Sequence, residues 1–166
     1  MNKFDLIDNP VGMPTRINAL PELQFPERFN VTRALFRRIE NAGWDKRSAL
    51  LSDNRRVNYG ELMHETRGYA GVLAASGVSS GDRVVLRITD SPELVFAILA
   101  VQSLGGIVVA TFTQLRGDDL LYRVRDTGAK YAVVAAGLID EMLPVADVEI
   151  GLKIILLGRD PSGRFE

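Results

Sequence analysis

The sequence predicts an α/β fold with a doubly wound, mainly parallel sheet, and three observations carry that expectation. Four apolar runs, RVVLRI (83–88), GIVVAT (106–111), YAVVAA (131–136) and KIILLG (153–158), recur through the second half of the chain. They are near-continuous rather than alternating, the pattern of strands buried on both faces. A helical segment separates each from the next, and strands joined by helices build a parallel sheet with right-handed crossovers.

The elements follow in order. Residues 1–29 hold four of the seven prolines, Pro10, Pro14, Pro21 and Pro26. They show little periodicity and read as an extended N-terminal arm. Asn30 is placed to cap a helix over 31–42, in which Val31, Leu35 and Ile39 recur every fourth residue, and Gly43 stands at the stop. In SALLSDNRRVNY (48–59) two short apolar runs flank the turn pair Asp53-Asn54, which predicts a β-hairpin.

Asn58 lies three residues before Glu61, the spacing of a capping box. The helix it opens runs to about Ser76, with Leu62, Thr66, Tyr69 and Leu73 on one face and Gly77 at its end. Ser91-Pro92-Glu93 predicts a helix start, because Ser caps and Pro fits the first turn. That helix covers 92–104. Asp118 and Asp119 favour the start of a further helix that ends near Gly128. A short helix is expected over about 138–143.

Composition excludes several functions. The chain has 166 residues, is 46% hydrophobic and carries 20 basic against 21 acidic side chains, a net charge of −1. This is ordinary globular composition, with no basic excess to bind nucleic acid. Cysteine is absent, which removes disulfides, thiolate chemistry and Cys-zinc sites. MNKFDLIDNPVGMP lacks the basic and apolar regions of a signal peptide. The most apolar stretch, Leu94 to Ala110, is interrupted by Gln102, Ser103, Gly105 and Gly106 and falls short of a membrane span. A cytoplasmic protein is expected.

Candidate chemistry is sparse. Neither G-x-G-x-x-G after a strand nor G-x-x-x-x-G-K-[ST] occurs, and Gly105-Gly106 precedes a strand instead of joining a strand to a helix. His64, the single histidine, falls opposite the apolar stripe of its helix and reads as a solvated surface residue. Asp118 and Asp119 are adjacent, so they diverge on a helix and do not make a metal pair. Arg37-Arg38, Arg55-Arg56 and Arg123-Arg125 read as solvated faces or contacts to other parts of a larger protein. Tyr59 reads as a core aromatic. The residues thus define no catalytic group and no metal site.

An ordered set of motifs adds more. VNYGEL (57–62) resembles the LTYxEL motif of the adenylate-forming ligase superfamily, the acyl- and aryl-CoA synthetases. Residues 77–134 resemble the stretch that follows it: G-x-x-x-G-D-x-V, a helix of the N/S-x-x-x-[FL] type, an L-x-A-G-A strand, an [E/D]-L helix and an S/T-G-A-K/R strand start. The likeness covers about Phe25 to Gly158. ELQFPERFNVTRALF (22–36) resembles the Pro-Glu-Arg-x-Asn entry of benzoate- and 2-aminobenzoate-CoA ligases. VVATFTQLR (108–116) is similar to the V-V-A-T-x-x-L-L-R run of the 2-aminobenzoate type. Fatty-acyl relatives usually carry Pro-x-Pro and Asn there. Val108, Ala110 and Phe112 stand in this chain and favour an aromatic acid.

The resemblance implies an enzyme that uses ATP and Mg²⁺ to convert a carboxylic acid to its acyl-adenylate and then transfers the acyl group to CoA. The family's TSGTTGxPK-type phosphate loop is not among residues 1–166. Residues 30–166 are therefore expected to be part of the family's large N-terminal domain, truncated before that loop, inactive alone and without a cofactor of their own. GRDPSGRFE reads as a loop entering further sequence. The resemblance also implies that the loop bearing Thr113, Gln114 and Arg116 lies near the CoA nucleotide. Where some relatives place an Arg before the Leu-Gly of the preceding helix, this chain has Ser103. The expected partner is a small carboxylic acid. Neither nucleic acid nor membrane is expected, and an unpaired sheet edge would favour a homodimer. Two other readings stand beside this one. They are a free-standing α/β binding module without catalysis, and an amino-acid adenylation domain, against which the aryl-type opening argues.

Overall fold

The computed structural model describes residues 25–53 and 55–158. Most of the expected N-terminal arm lies outside them. The chain forms α1 (Val31–Ala42), β1 (Ser48–Leu51), β2 (Arg56–Asn58), α2 (Tyr59–Ala75), β3 (Arg83–Arg87), α3 (Pro92–Ser103), β4 (Ile107–Ala110), α4 (Gly117–Thr127), β5 (Tyr131–Ala135), α5 (Leu143–Val148) and β6 (Lys153–Leu157). This is the expected α/β order of a helix, a hairpin and a four-stranded parallel sheet with flanking helices.

Local chemistry explains the ends of the elements. The Asn30 side chain accepts from the Arg33 amide, and Gly43 closes α1 in the left-handed region at φ 61°, where glycine carries no Cβ penalty. The face that α1 buries is Thr32, Phe36 and Ile39, while Val31 is exposed. The every-fourth-residue reading was therefore displaced at its start, because Thr32 Oγ1 donates to Leu99 O on α3 and turns that side inward. In the hairpin, Ser52 and Arg55 exchange backbone hydrogen bonds at the ends of its two strands; of the expected turn pair Asp53-Asn54, the second residue lies outside the described residues. At α2 the capping box is complete: Asn58 accepts from the Glu61 amide while Glu61 accepts from the Asn58 amide, both at 2.8 Å.

Two starts differ from expectation. Ser91 stands at the α3 cap, but its side chain makes no capping hydrogen bond. The helix expected over 138–143 is a 3₁₀ turn at Ala136–Leu138, followed by α5 at Leu143–Val148. Pro144 near the N-terminus of α5 explains the shift, since proline suits a first turn and not a helix interior.

The strand order is β4-β3-β5-β6. The first strand of this sheet, β3, is thus central and runs parallel to both β4 and β5. Val84, Leu86, Ile88, Tyr131 and Val133 face Leu73 of α2 and Ala97, Ala100 and Val101 of α3. On the other face Val85, Val109, Ala132 and Val134 pack on Leu120 and Val124 of α4, on Val145 of α5 and on Met142 just before it. The two central strands are covered on both sides, which accounts for their near-continuous apolar runs. Phe96 of α3 is fully buried against Val57 and Leu62 and meets the Tyr69 ring edge-on at 5.9 Å. Its burial stabilises the α2–α3 pair by roughly 2–3 kcal/mol.

Candidate functional site

After β3 the chain leaves the sheet toward the face that carries α3, whereas after β4 and β5 it leaves toward the face of α4 and α5. Chains that diverge at the carboxyl ends of parallel strands open a crevice there, the usual ligand position in such sheets. A cleft of about 290 Å³ occupies this place, lined by Leu86, Ile88, Thr89, Asp90, Leu94 and the run Ala110 to Gln114. A second cleft of about 450 Å³ shares Asp90 and reaches the hairpin through Leu50, Leu51 and Asp53.

The turn after β4 forms one wall. Leu115 N donates to Phe112 O at 3.2 Å, which closes a four-residue turn with Thr113 and Gln114 at its two central positions. Thr111 ties the start of that turn to β3, donating to Leu86 O from both its amide and its hydroxyl, each at 3.1 Å. Beneath lies Arg87, fully buried, with Nη1 donating to Phe112 O at 3.2 Å and Nη2 to Thr113 O at 3.1 Å. Burial, and then the nearby Arg116, lower the affinity of this guanidinium for its proton. It stays charged nevertheless, because arginine begins so far above neutrality.

Of the three loop residues singled out in the sequence, Thr113 and Gln114 line the cleft. Arg116 does not. It sits at the cap of α4 and its Nη1 pairs with Glu141. Arg87 escaped the sequence reading, although a charged residue inside an otherwise apolar strand was a visible signal.

The other candidates lie away from this cleft. His64, Asp118 and Asp119 are exposed. Gly105-Gly106 is a packing feature: a Cβ on Gly106 would come within 2.9 Å of Val101 Cγ1, and one on Gly105 within 2.8 Å of Ser80 Oγ. Arg55 pairs with Glu65 and Glu93 at 3.7 and 3.4 Å. Among the described residues no group of three or more His, Cys, Asp or Glu side chains could hold a metal ion, and no helix is long and apolar enough to cross a membrane.

Comparison with known proteins decides the family. The pattern of the AMP-binding enzymes matches residues 36–164. The chain belongs to the AMP-binding enzyme family. A 3-hydroxybenzoate–CoA/4-hydroxybenzoate–CoA ligase of Thauera aromatica is 32% identical over 115 residues, 69% of this chain and 22% of that protein. Among solved structures, a benzoate CoA ligase from Burkholderia xenovorans LB400 superposes with a TM-score of 0.72 at 25% identity, over 79% of this chain and 26% of that one. The anthranilate CoA ligase AuaEII, in complex with anthranoyl-AMP, gives a TM-score of 0.67 at 25% identity over 81% and 26%. The resemblance to benzoate- and 2-aminobenzoate-CoA ligases read from the motifs is borne out. This AMP-binding enzyme chain spans about a quarter of the length of the ligases it matches.

Proposed function

We propose that this chain serves a ligase that activates an aromatic carboxylic acid as its acyl-adenylate with ATP and transfers the acyl group to the thiol of CoA. Within that enzyme, residues 30–166 are part of the large N-terminal domain, and alone they do not catalyse. The observation that carries the reading is the cleft at the carboxyl ends of β3 and β4, set in a chain whose relatives include ligases for benzoate, hydroxybenzoate and anthranilate.

The residues suit a part of this chemistry. The Thr113 hydroxyl and the Gln114 carboxamide offer donors and acceptors that fit the polar groups of CoA, and Thr113, Gln114 and Arg116 form the loop assigned to its nucleotide. For ATP and Mg²⁺ the fit fails, since residues 1–166 contain no Ser/Thr/Gly-rich phosphate loop and the described residues hold no carboxylate cluster. Phosphate and metal chemistry is accordingly assigned to other parts of the ligase. An apolar groove of about 360 Å³ between α2 and β6, lined by Tyr69, Val72, Leu73, Val133, Ile155 and Leu157, supports a role as scaffold for them. Strands β4 and β6 end the sheet. Pairing through such an edge is the basis for a homodimer, which light scattering would detect.

The test is acid-dependent ATP–pyrophosphate exchange, measured on the 166-residue chain and on the full translation product of its reading frame. Benzoate, 2-aminobenzoate, 3-hydroxybenzoate, acetate and a long-chain fatty acid form the panel. Exchange by the full product with the aromatic acids alone is expected. Exchange with acetate or the fatty acid alone would overturn the substrate class, and exchange by the 166-residue chain would overturn the scaffold assignment. Saturable CoA binding by a full product without exchange would favour the binding-module reading.

A further inference from the structure

Arg87 is the single charged side chain at full burial among the described residues. The strand around it is apolar, with Val84, Val85, Leu86 and Ile88 as neighbours. No carboxylate of a described residue pairs with it, and its Nε has no hydrogen-bond partner among them. A buried cation without a counter-ion costs stability, so a residue placed there for packing alone would be aliphatic. What Arg87 provides is specific: two donors, on adjacent guanidinium nitrogens, to the consecutive carbonyls of Phe112 and Thr113.

We propose that Arg87 is a positioning residue for the ligand-binding end of the sheet. It holds the 112–115 turn in the one conformation that presents Thr113 and Gln114 to the cleft, and it thereby sets the affinity for CoA. This rests on the ligase reading above. Thr111 anchors the start of the turn to Leu86 O independently of Arg87. Loss of the guanidinium therefore frees the turn without detaching β4. The Phe112 carbonyl is the shared point, accepting from both Arg87 Nη1 and Leu115 N.

Arg87→Met and Arg87→Lys in the full translation product test the proposal, with two readouts. In amide hydrogen exchange the Leu115 amide should exchange about tenfold faster in Arg87→Met, while the Thr111 amide stays as protected as before. In steady-state assays with benzoate or 2-aminobenzoate, KM for CoA should rise about tenfold, with kcat of acid-dependent pyrophosphate exchange kept within about twofold. Arg87→Lys keeps the charge but not the fork and should lie between, and it carries the test if Arg87→Met fails to fold. A purely structural role would lower the melting temperature and both half-reactions together, and that result would overturn the proposal. So would an unchanged Leu115 amide, or a loosened turn with unchanged KM for CoA. If the wild-type enzyme shows no acid-dependent exchange, the ligase reading fails by itself. The Leu115 amide then decides whether Arg87 positions the turn.

Discussion

Asn30 joins two helices that are some seventy residues apart in the chain. Its Oδ1 accepts from the Arg33 amide at the start of α1, while its Nδ2 donates to Gln102 O at 2.8 Å and Ser103 O at 3.2 Å at the end of α3. One carboxamide thus satisfies an orphan amide at one helix terminus and adds a donor to the terminal carbonyls of another, of which Gln102 O also accepts from the Gly105 amide. Asn30→Ala removes both functions and should cost about 1–2 kcal/mol in urea unfolding. Asn30→Asp keeps the cap but sets an anion against the carbonyl end of α3, so it should recover little of that loss.

Phe96 connects the hairpin, α2 and α3 from a fully buried position. Phe96→Ala leaves a cavity in that contact and should lower stability by about 3–5 kcal/mol. Phe96→Leu should cost less, because most of the volume remains. Chemical denaturation of both variants checks the order.

Two glycine substitutions should have opposite signs. Gly71 lies within α2, and a Cβ there would meet nothing within 4 Å. Gly71→Ala should therefore stabilise by about 0.5–1 kcal/mol, through helix propensity. At Gly106 the added carbon would stand 2.9 Å from Val101 Cγ1, 3.1 Å from Val101 O and 3.3 Å from Asp82 O. Gly106→Ala should destabilise by about 1–3 kcal/mol, since backbone atoms form part of the obstacle. Thermal melts of the two variants separate the effects.

Asp82 accepts from both the amide and the hydroxyl of Ser79, at 2.9 and 2.8 Å. The Ser79 amide, then its hydroxyl, hold the Asp82 carboxyl below the usual carboxylate range. A carboxyl whose folded pKa is depressed adds stability above its unfolded value near 3.9, and loses it as pH falls through the folded value. The gap in stability between wild type and Asp82→Asn should therefore be constant from neutrality to about pH 5 and narrow below about pH 4. Urea midpoints across that range measure it, and a gap that widens on acidification would contradict the assignment.

Much of this protein was legible because its signals are local. The Asn30 and Asn58 caps, the Gly43 stop and the apolar runs of β3 and β5 are each decided by residues a few positions apart, so the element order could be read directly. The start of α5 was misread, because Pro144 permits a helix on its C-terminal side and a 3₁₀ turn took the preceding residues. The buried stripe of α1 was displaced by a contact with Leu99, which no local pattern encodes.

The sequence by itself determined the α/β class, the family resemblance and the absence of a phosphate loop from residues 1–166. Tertiary structure alone decided the strand order β4-β3-β5-β6 and hence where the crevice opens. It also put Thr113 and Gln114 on the cleft and Arg116 against Glu141, and it set Arg87 beneath the turn. The physical reason is that caps and periodicity are interactions between near neighbours in the chain. A guanidinium of β3 reaching carbonyls 25 and 26 residues away exists only once the strands have paired.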